Sequence, residues 1–194
     1  DAVLRMLGND IVATAGLKTP TAGVSVGSVE IRHDLSTGKG VATIAVPGLR
    51  FAESGLQPSD LTPLTFGVIA DVNGTVEGSG RIEWSPENVS STGRFGTRSA
   101  DLAAAFGSVR GLATEVRFSD LLNMRSESGQ IATVAEINPG IAVSSGTIRF
   151  RLLDSQRVEV KGGRWPFAGG ELVLEPTILD FSQSRERRMT FRVI

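Results

Sequence analysis

The only histidine of the chain, His33, is the first side chain to consider for catalysis, because a Ser-His-Asp hydrolase would have to use it as its general base. It lies between Arg32 and Asp34, at the end of a segment with strand-like alternation. This setting lacks the strand-to-helix elbow that presents a nucleophilic serine. An ordinary surface histidine is the simpler interpretation, and hydrolysis through His33 is a minor hypothesis.

Carboxylates are the second candidates, because a pair of them could act as general acid and base. The carboxylates within alternating segments are Glu30, Glu83, Glu115, Glu159 and Glu171. Each falls on the polar side of its segment, where a solvated charge is expected and no perturbing environment is indicated. No cluster of His, Asp and Glu has metal-ligand spacing, and the chain has no cysteine. We therefore predict no catalytic residue, no metal, no cofactor and no enzymatic activity.

The segment from Gly162 to Gly170 is the most distinctive of the chain, with Trp165 and Phe167 on either side of Pro166. One interpretation is structural: paired glycines turn the chain, the proline interrupts sheet pairing, and the aromatic side chains plug one end of an apolar surface. The other is functional, with Trp165 and Phe167 forming an aromatic rim at an apolar groove. The structural interpretation is favoured, and both stay open.

Most of the chain consists of segments in which apolar and polar side chains alternate, as is typical of strands with one dry and one solvated face. In Thr147–Leu152, for example, apolar side chains at Ile148, Phe150 and Leu152 are separated by arginines. The predicted lining of the dry face is Val116, Phe118, Ile148, Phe150, Leu152, Val158, Val160, Leu172 and Leu174. Because few helices are available to cover this face, it suggests an apolar ligand.

Helical signals are short and few. Apolar spacing within Asp1–Leu7 is consistent with a helix that ends at Gly8. Ser99 can cap a helix over residues 100–106, and Ser119 can cap a turn that continues to Met124. The sequence thus predicts a mainly β fold with two or three short helices.

The longest alternating run extends from Phe66 to Trp84, with an apolar residue or glycine at every even position. A hairpin that turns at Asn73-Gly74 would explain it. One long strand, kinked at its glycines, would explain it equally well. The sequence leaves both alternatives open.

Composition limits the domain count and the partners. A chain of 194 residues fits a single β-rich domain or a slice of a longer one. Twenty basic and 21 acidic residues are spread along the chain, so no nucleic-acid footprint is visible. No stretch approaches the roughly 20 apolar residues of a membrane-spanning helix, and no signal segment opens the chain. Because it begins mid-pattern at Asp1 and stops within a strand-like segment at Ile194, we expect a fragment of a longer protein.

Several motifs between residues 76 and 181 resemble the YdbH-like branch of the AsmA-like, TamB-related bacterial intermembrane lipid transport proteins. The motifs are Gly78–Trp84, Asp101–Gly107, Arg117-Phe118 with Asp120–Leu122, Asn138–Gly140, Gly163–Gly170, Glu175–Thr177 and Leu179–Phe181. The tryptophan-proline-phenylalanine segment carries the most specific part of the likeness. We therefore expect one β-groove segment over 1–194, with 66–194 as its family-like part and 1–65 supported by the strand pattern alone.

The resemblance implies a twisted, curved antiparallel sheet that forms an elongated U-shaped groove with an apolar trough. It also implies a location in the periplasm of a Gram-negative bacterium, an N-terminal inner-membrane anchor outside this segment, and a small outer-membrane lipoprotein as partner of the full-length protein. The implied activity is movement of phospholipid toward the outer membrane, with acyl chains bound in the trough.

Two functions remain open at this point. In the first, the dry face is an open conduit for phospholipid acyl chains. In the second, dry faces close on each other as a β-sandwich, and the module is a scaffold of the cell envelope that recruits partners by β-augmentation. Alternation alone is the same in both cases.

Overall fold

The computed structural model describes residues 2–19, 23–61, 69–104, 107–138, 140–182 and 189–194, and these residues form one antiparallel sheet. Its strands are β1 (Ala2–Leu7), β2 (Asp10–Lys18), β3 (Ser25–Asp34), β4 (Lys39–Phe51), β5 (Ile69–Trp84), β6 (Val89–Ala104), β7 (Gly107–Asp120), β8 (Arg125–Ser126), β9 (Gln130–Asn138), β10 (Val143–Leu152), β11 (Arg157–Phe167), β12 (Gly170–Leu174), β13 (Thr177–Asp180) and β14 (Phe191–Val193). A single 3₁₀ turn, Pro58–Asp60, lies between β4 and β5.

The sheet is a meander in which consecutive strands pair, in the order β1 to β7, then β9 to β12, then β14. Two short strands lie beside this path: β8 extends the pairing of β7, and β13 pairs with β11. Tight turns make this topology favourable because each strand returns directly onto its neighbour. At the β3–β4 turn, for example, the Asp34 carboxylate accepts hydrogen bonds from both the backbone and the hydroxyl of Ser36.

Bulges in β4 to β7 lie side by side. Pairing shifts between Val46 and Leu49 in β4, where residues 47–48 oppose one residue of β5. The next shifts place residues 75–76 of β5 against 97–99 of β6, and residues 98–99 of β6 against residue 113 of β7. Since a bulge bends its strand and increases the local twist, adjacent bulges bend the sheet along one line. We call residues 47–48, 75–76, 97–99 and 113 the bulge line.

The bent sheet covers part of its own apolar face. The Trp165 cluster consists of Val109, Val134, Ile137, Val143, Val160, Trp165, Leu172 and Leu174. The Phe51 cluster consists of Val46, Leu49, Phe51 and Val72, and Leu102 packs against both clusters. Because the described residues contain no α-helix, this burial comes from the strands themselves and, at the Phe51 cluster, also from Leu56 in the β4–β5 connection.

The prediction of two or three short helices is wrong for the described residues. Residues 2–7 form β1, β6 continues through Ala104, and residues 121–124 form a turn. Residues 105–106 of one predicted helix lie outside the described residues. Alanine-rich sequence favours a helix only weakly, and here pairing prevails, since Ala100 is buried opposite Leu112 while Asp101 accepts a hydrogen bond from the Gly111 backbone.

The long alternating run forms one strand over its described part, β5, and Asn73-Gly74 lies within the strand rather than in a hairpin turn. The irregularities flank these residues, because register shifts occur between Ala70 and Asn73 and between Gly74 and Glu77. Residues 66–68 lie outside the described part.

Candidate functional site

Strand pairing places all the predicted lining residues on one face of the sheet, which we call the apolar face. Ile148 lies opposite Gly163, which lies opposite Leu174 in the next strand. Phe150 lies opposite Val160 in the same way. Across these strands, the alternation in the sequence therefore becomes continuous rows of apolar side chains.

The lining residues differ in burial. Phe118, Val160, Leu172 and Leu174 are less than a tenth exposed, and the last three belong to the Trp165 cluster. Val116, Ile148, Phe150, Leu152 and Val158 are half-buried. The apolar face is thus partly closed and partly accessible.

Trp165 lies in the closed part, with 1% of its surface exposed. Its indole ring covers Gly146 and Gly163 of the same face, and a Cβ at either glycine would overlap the ring. On another side it packs against the ring of Phe191, with 6.1 Å between ring centroids. The Trp165 side chain therefore fills the interior of the closed part. Phe167, by contrast, is half-buried.

The apolar face also extends through the N-terminal strands, which the predicted lining did not include. One row contains Ile31, Ala42 and Ile82, and the next contains His33, Gly40 and Trp84. The even-position pattern of residues 66–84 already indicated the contribution of β5. The contribution of β2 and β3 is harder to read from sequence, because their apolar residues are smaller and fewer.

His33 occupies the apolar face and is engaged by a tryptophan. The Trp84 indole Nε1–H donates a hydrogen bond of 3.2 Å to His33 Nδ1, and the two rings stack with 5.9 Å between centroids. With Nδ1 as the acceptor of this bond, the ring is not arranged as the base of a serine nucleophile. Residues 23–27 have Gly-x-Ser-x-Gly spacing, but Ser25 begins β3 rather than a turn into a helix.

Three buried polar side chains on the apolar face, Ser91, Ser126 and Gln130, bond within the protein. The Ser91 hydroxyl bonds to Asp120, the Ser126 hydroxyl accepts from the Leu152 backbone, and the Gln130 side chain accepts from the Arg117 backbone. These bonds connect the β7–β8 turn to its neighbours. Among the described residues, the apolar face has no buried cation or carboxylate that could select a headgroup.

The opposite face, the polar face, carries the predicted carboxylates, and four of the five, Glu83, Glu115, Glu159 and Glu171, are in ion pairs. Glu83 pairs with Arg81 at 2.7 Å, and Glu115 pairs with Arg117 at 3.2 Å. A hydrogen bond from Lys161 is the main reason that the pKa of Glu159 is lowered. Among the described residues, no group of three or more His, Cys, Asp or Glu could hold a metal ion. The arrangement contains ion pairs rather than an acid–base pair.

A depression with a volume of about 900 Å³ lies on the polar face along the bulge line. Its lining includes the ion pairs Arg98–Glu77 and Arg94–Glu115 as well as Thr97. Because the sheet bends there, the concavity follows from the bulges and does not mark the apolar face.

No helix within the described ranges has the length and apolar character needed to cross a bilayer. The model of the YdbH-like family, described as "Intermembrane phospholipid transport protein YdbH", matches residues 5–193. No curated protein and no solved structure gives a significant match to the chain.

Proposed function

The chain belongs to the YdbH-like family of intermembrane phospholipid transport proteins, and from this premise we propose that its apolar face holds phospholipid acyl chains. The family implies an envelope location, in the periplasm between two membranes. The proposal assigns this segment one physical task, which is to shield acyl chains from water while lipid passes along the sheet.

One observation carries the proposal: rows of apolar side chains continue from strand to strand while part of the face stays accessible. Ile82, Val116, Ile148 and Phe150 are half-buried in a face that has no helix over it in the described residues. Neighbouring strands lie about 4.8 Å apart, so the twelve strands of the meander extend on the order of 50 Å. An acyl chain could therefore remain in contact with apolar side chains over a considerable distance.

The chemistry of the face favours weak selectivity. Burial of an acyl chain yields roughly 0.8 kcal/mol per CH₂, whatever the headgroup. The buried polar groups Ser91, Ser126 and Gln130 are already bonded to the protein. Such a surface suits a conduit that accepts several phospholipids, and it needs no catalytic group, so the proposal includes no enzymatic activity.

The same proposal includes the finer features that the resemblance implies. The full-length protein is anchored in the inner membrane by an N-terminal helix and works with a small outer-membrane lipoprotein.

Site-specific photo-crosslinking in the full-length protein inside cells tests the proposal. A crosslinker at Ile148 or Phe150 should form adducts with phospholipid, because both positions lie on the accessible apolar face. Arg117 is the control, since it lies between the lining residues Val116 and Phe118 but on the opposite face of the sheet. Adducts with protein only, or equal lipid adducts at Arg117, would contradict the proposal.

A scaffold that binds by β-augmentation is the second candidate, and β1 is the observation that favours it. This strand pairs only with β2, so its other edge is free among the described strands. Its apolar side chains Leu4 and Met6 are about two-thirds exposed. A scaffold would give protein adducts from Leu4 and no lipid adducts from Ile148, which separates the two candidates.

A further inference from the structure

The polar face of β10 and β11 contains a small depression whose floor is glycine. Arg149 lies directly opposite Gly162, and Thr147 lies opposite Arg164. The register shift between Arg149 and Phe150 leaves Lys161 as the extra residue of β11. Together with Gly163, Val173, Leu174 and Pro176, these residues line a depression of about 290 Å³, which we call the Gly162 depression.

Cations outnumber carboxylates around this depression. The local ion pairs are Arg151–Glu159 at 3.1 Å, Lys161–Glu159 at 2.6 Å and Arg164–Glu171 at 2.8 Å. Glu159 therefore serves two cations, and Arg149 has no ion pair within the described residues. Four cations against two carboxylates leave a local charge of +2.

The 900 Å³ depression on the same face provides the contrast. Its cations Arg94 and Arg98 each have a carboxylate partner, Glu115 and Glu77. Glu115 also pairs with Arg117, so three cations face two carboxylates there, a smaller excess of positive charge than at the Gly162 depression.

The backbone of the Gly162 depression keeps space open for a ligand. Gly162 has a φ of +133°, a region that other residues avoid, so a side chain is disfavoured at the point where the cations converge. The volume is several times the ~30 Å³ that a water molecule occupies, so a phosphate group fits. Arginine presents a planar fork of donors that matches phosphate oxygens, and lysine adds a point charge.

We propose that the Gly162 depression binds a phosphate group, carried either by an anionic phospholipid headgroup or by free phosphate. This site lies on the face opposite the acyl-chain surface, so it goes beyond the proposed function and does not depend on it. A headgroup bound here would belong to a membrane surface that the polar face approaches, rather than to a lipid within the trough.

Titration of the isotope-labelled chain with inorganic phosphate tests the site directly. The Gly162 amide resonance should shift in a saturable manner, and the shift should weaken as salt is added. Changing Arg149→Gln together with Lys161→Gln should weaken binding about 25-fold, at about fivefold for each cation removed near a surface. The matched control, Arg94→Gln with Arg98→Gln, should leave the affinity within about twofold.

Vesicle flotation separates the two sources of phosphate. If the site binds a headgroup, the chain should float with phosphatidylglycerol vesicles but not with phosphatidylcholine vesicles. Of the two double variants, only the Arg149/Lys161 variant should lose this recruitment. Phosphate binding without vesicle recruitment would assign the site to a soluble phosphate. No saturable shift at Gly162 in the unmodified chain, or equal losses in both double variants, would overturn the site. The amide shift of Gly162 is measured in the unmodified chain, so this test remains valid even if a variant misfolds.

Discussion

The Trp165 cluster and the N-terminal strands have the same alternating sequence pattern, yet their apolar faces differ in accessibility. Ile137 and Trp165 are each 1% exposed, because strands from several parts of the meander meet over them. In β1, by contrast, Leu4 is 68% exposed, and Ile31 of β3 is half-buried. Alternation therefore specifies which face is apolar, and long-range curvature specifies whether that face is covered.

Under the proposed function, this difference lets a sheet of one layer be stable and still bind lipid. Tightly packed residues at one part hold the meander together, while the half-buried residues elsewhere remain accessible. Substitutions in the two regions should therefore have effects as different as the burial of the two regions.

The largest effect is expected for Trp165→Ala, because it removes the largest fully buried side chain of the described residues. Loss of contacts and an unfilled cavity should lower the free energy of unfolding by about 3–5 kcal/mol. The comparable truncation in the open region, Leu4→Ala, should change it by no more than ~0.5 kcal/mol. Urea denaturation measures both, and similar losses in the two variants would remove the distinction between the regions.

Glycines beneath aromatic rings provide a finer comparison. A Cβ at Gly40 would overlap the Trp84 ring, whereas nothing lies within 4 Å of a Cβ at Gly16. Gly40→Ala should therefore destabilise the chain by about 1–3 kcal/mol through overpacking. Gly16→Ala, also within a strand, should be neutral or stabilising by up to ~0.5 kcal/mol. Thermal unfolding of the two variants is the measurement, and a neutral Gly40→Ala would show that Trp84 is free to move away.

The smallest effect concerns the turn between β3 and β4 in the open region. Hydrogen bonds from Ser36 and Thr37 lower the pKa of Asp34 to about 2. A lowered native pKa means that the carboxylate stabilises the fold fully above its unfolded pKa of about 3.9 and loses this effect as pH falls toward the native value. The stability difference between the unmodified chain and Asp34→Asn should thus be constant from about pH 7 to 5 and shrink between about pH 4 and 2. A difference independent of pH throughout would contradict the role of the ionised carboxylate.

Much of the sheet could be predicted from sequence because each strand carries its own alternation. Ile148, Phe150 and Leu152 are on one face for that local reason, and their pairing with β11 continues it. By contrast, no local pattern indicates that the residues after Ser99 form a strand instead of the expected helix. Ala100 is buried only because Leu112 lies opposite, and this contact depends on the register of β6 against β7.

The burial of Leu172 and Leu174 depends on even longer-range effects. Their strand is short and alternates like the others, but they become part of a closed cluster because Val160 and Trp165 of β11 and Phe191 of β14 pack with them. Contacts of this kind are a property of several paired strands rather than of one segment. The YdbH-like motifs identified the family, while the boundary between covered and accessible face required the structure.

The two tryptophans of the chain provide the most direct test of the central claim, that the accessible part of the apolar face binds acyl chains while the Trp165 cluster is closed. Trp84 is half-buried on the accessible part, and Trp165 is fully buried. Phospholipids with brominated acyl chains should quench the fluorescence of the unmodified chain, and Trp84→Phe should abolish most of that quenching. No quenching in the unmodified chain, or equal quenching in Trp84→Phe, would contradict the claim.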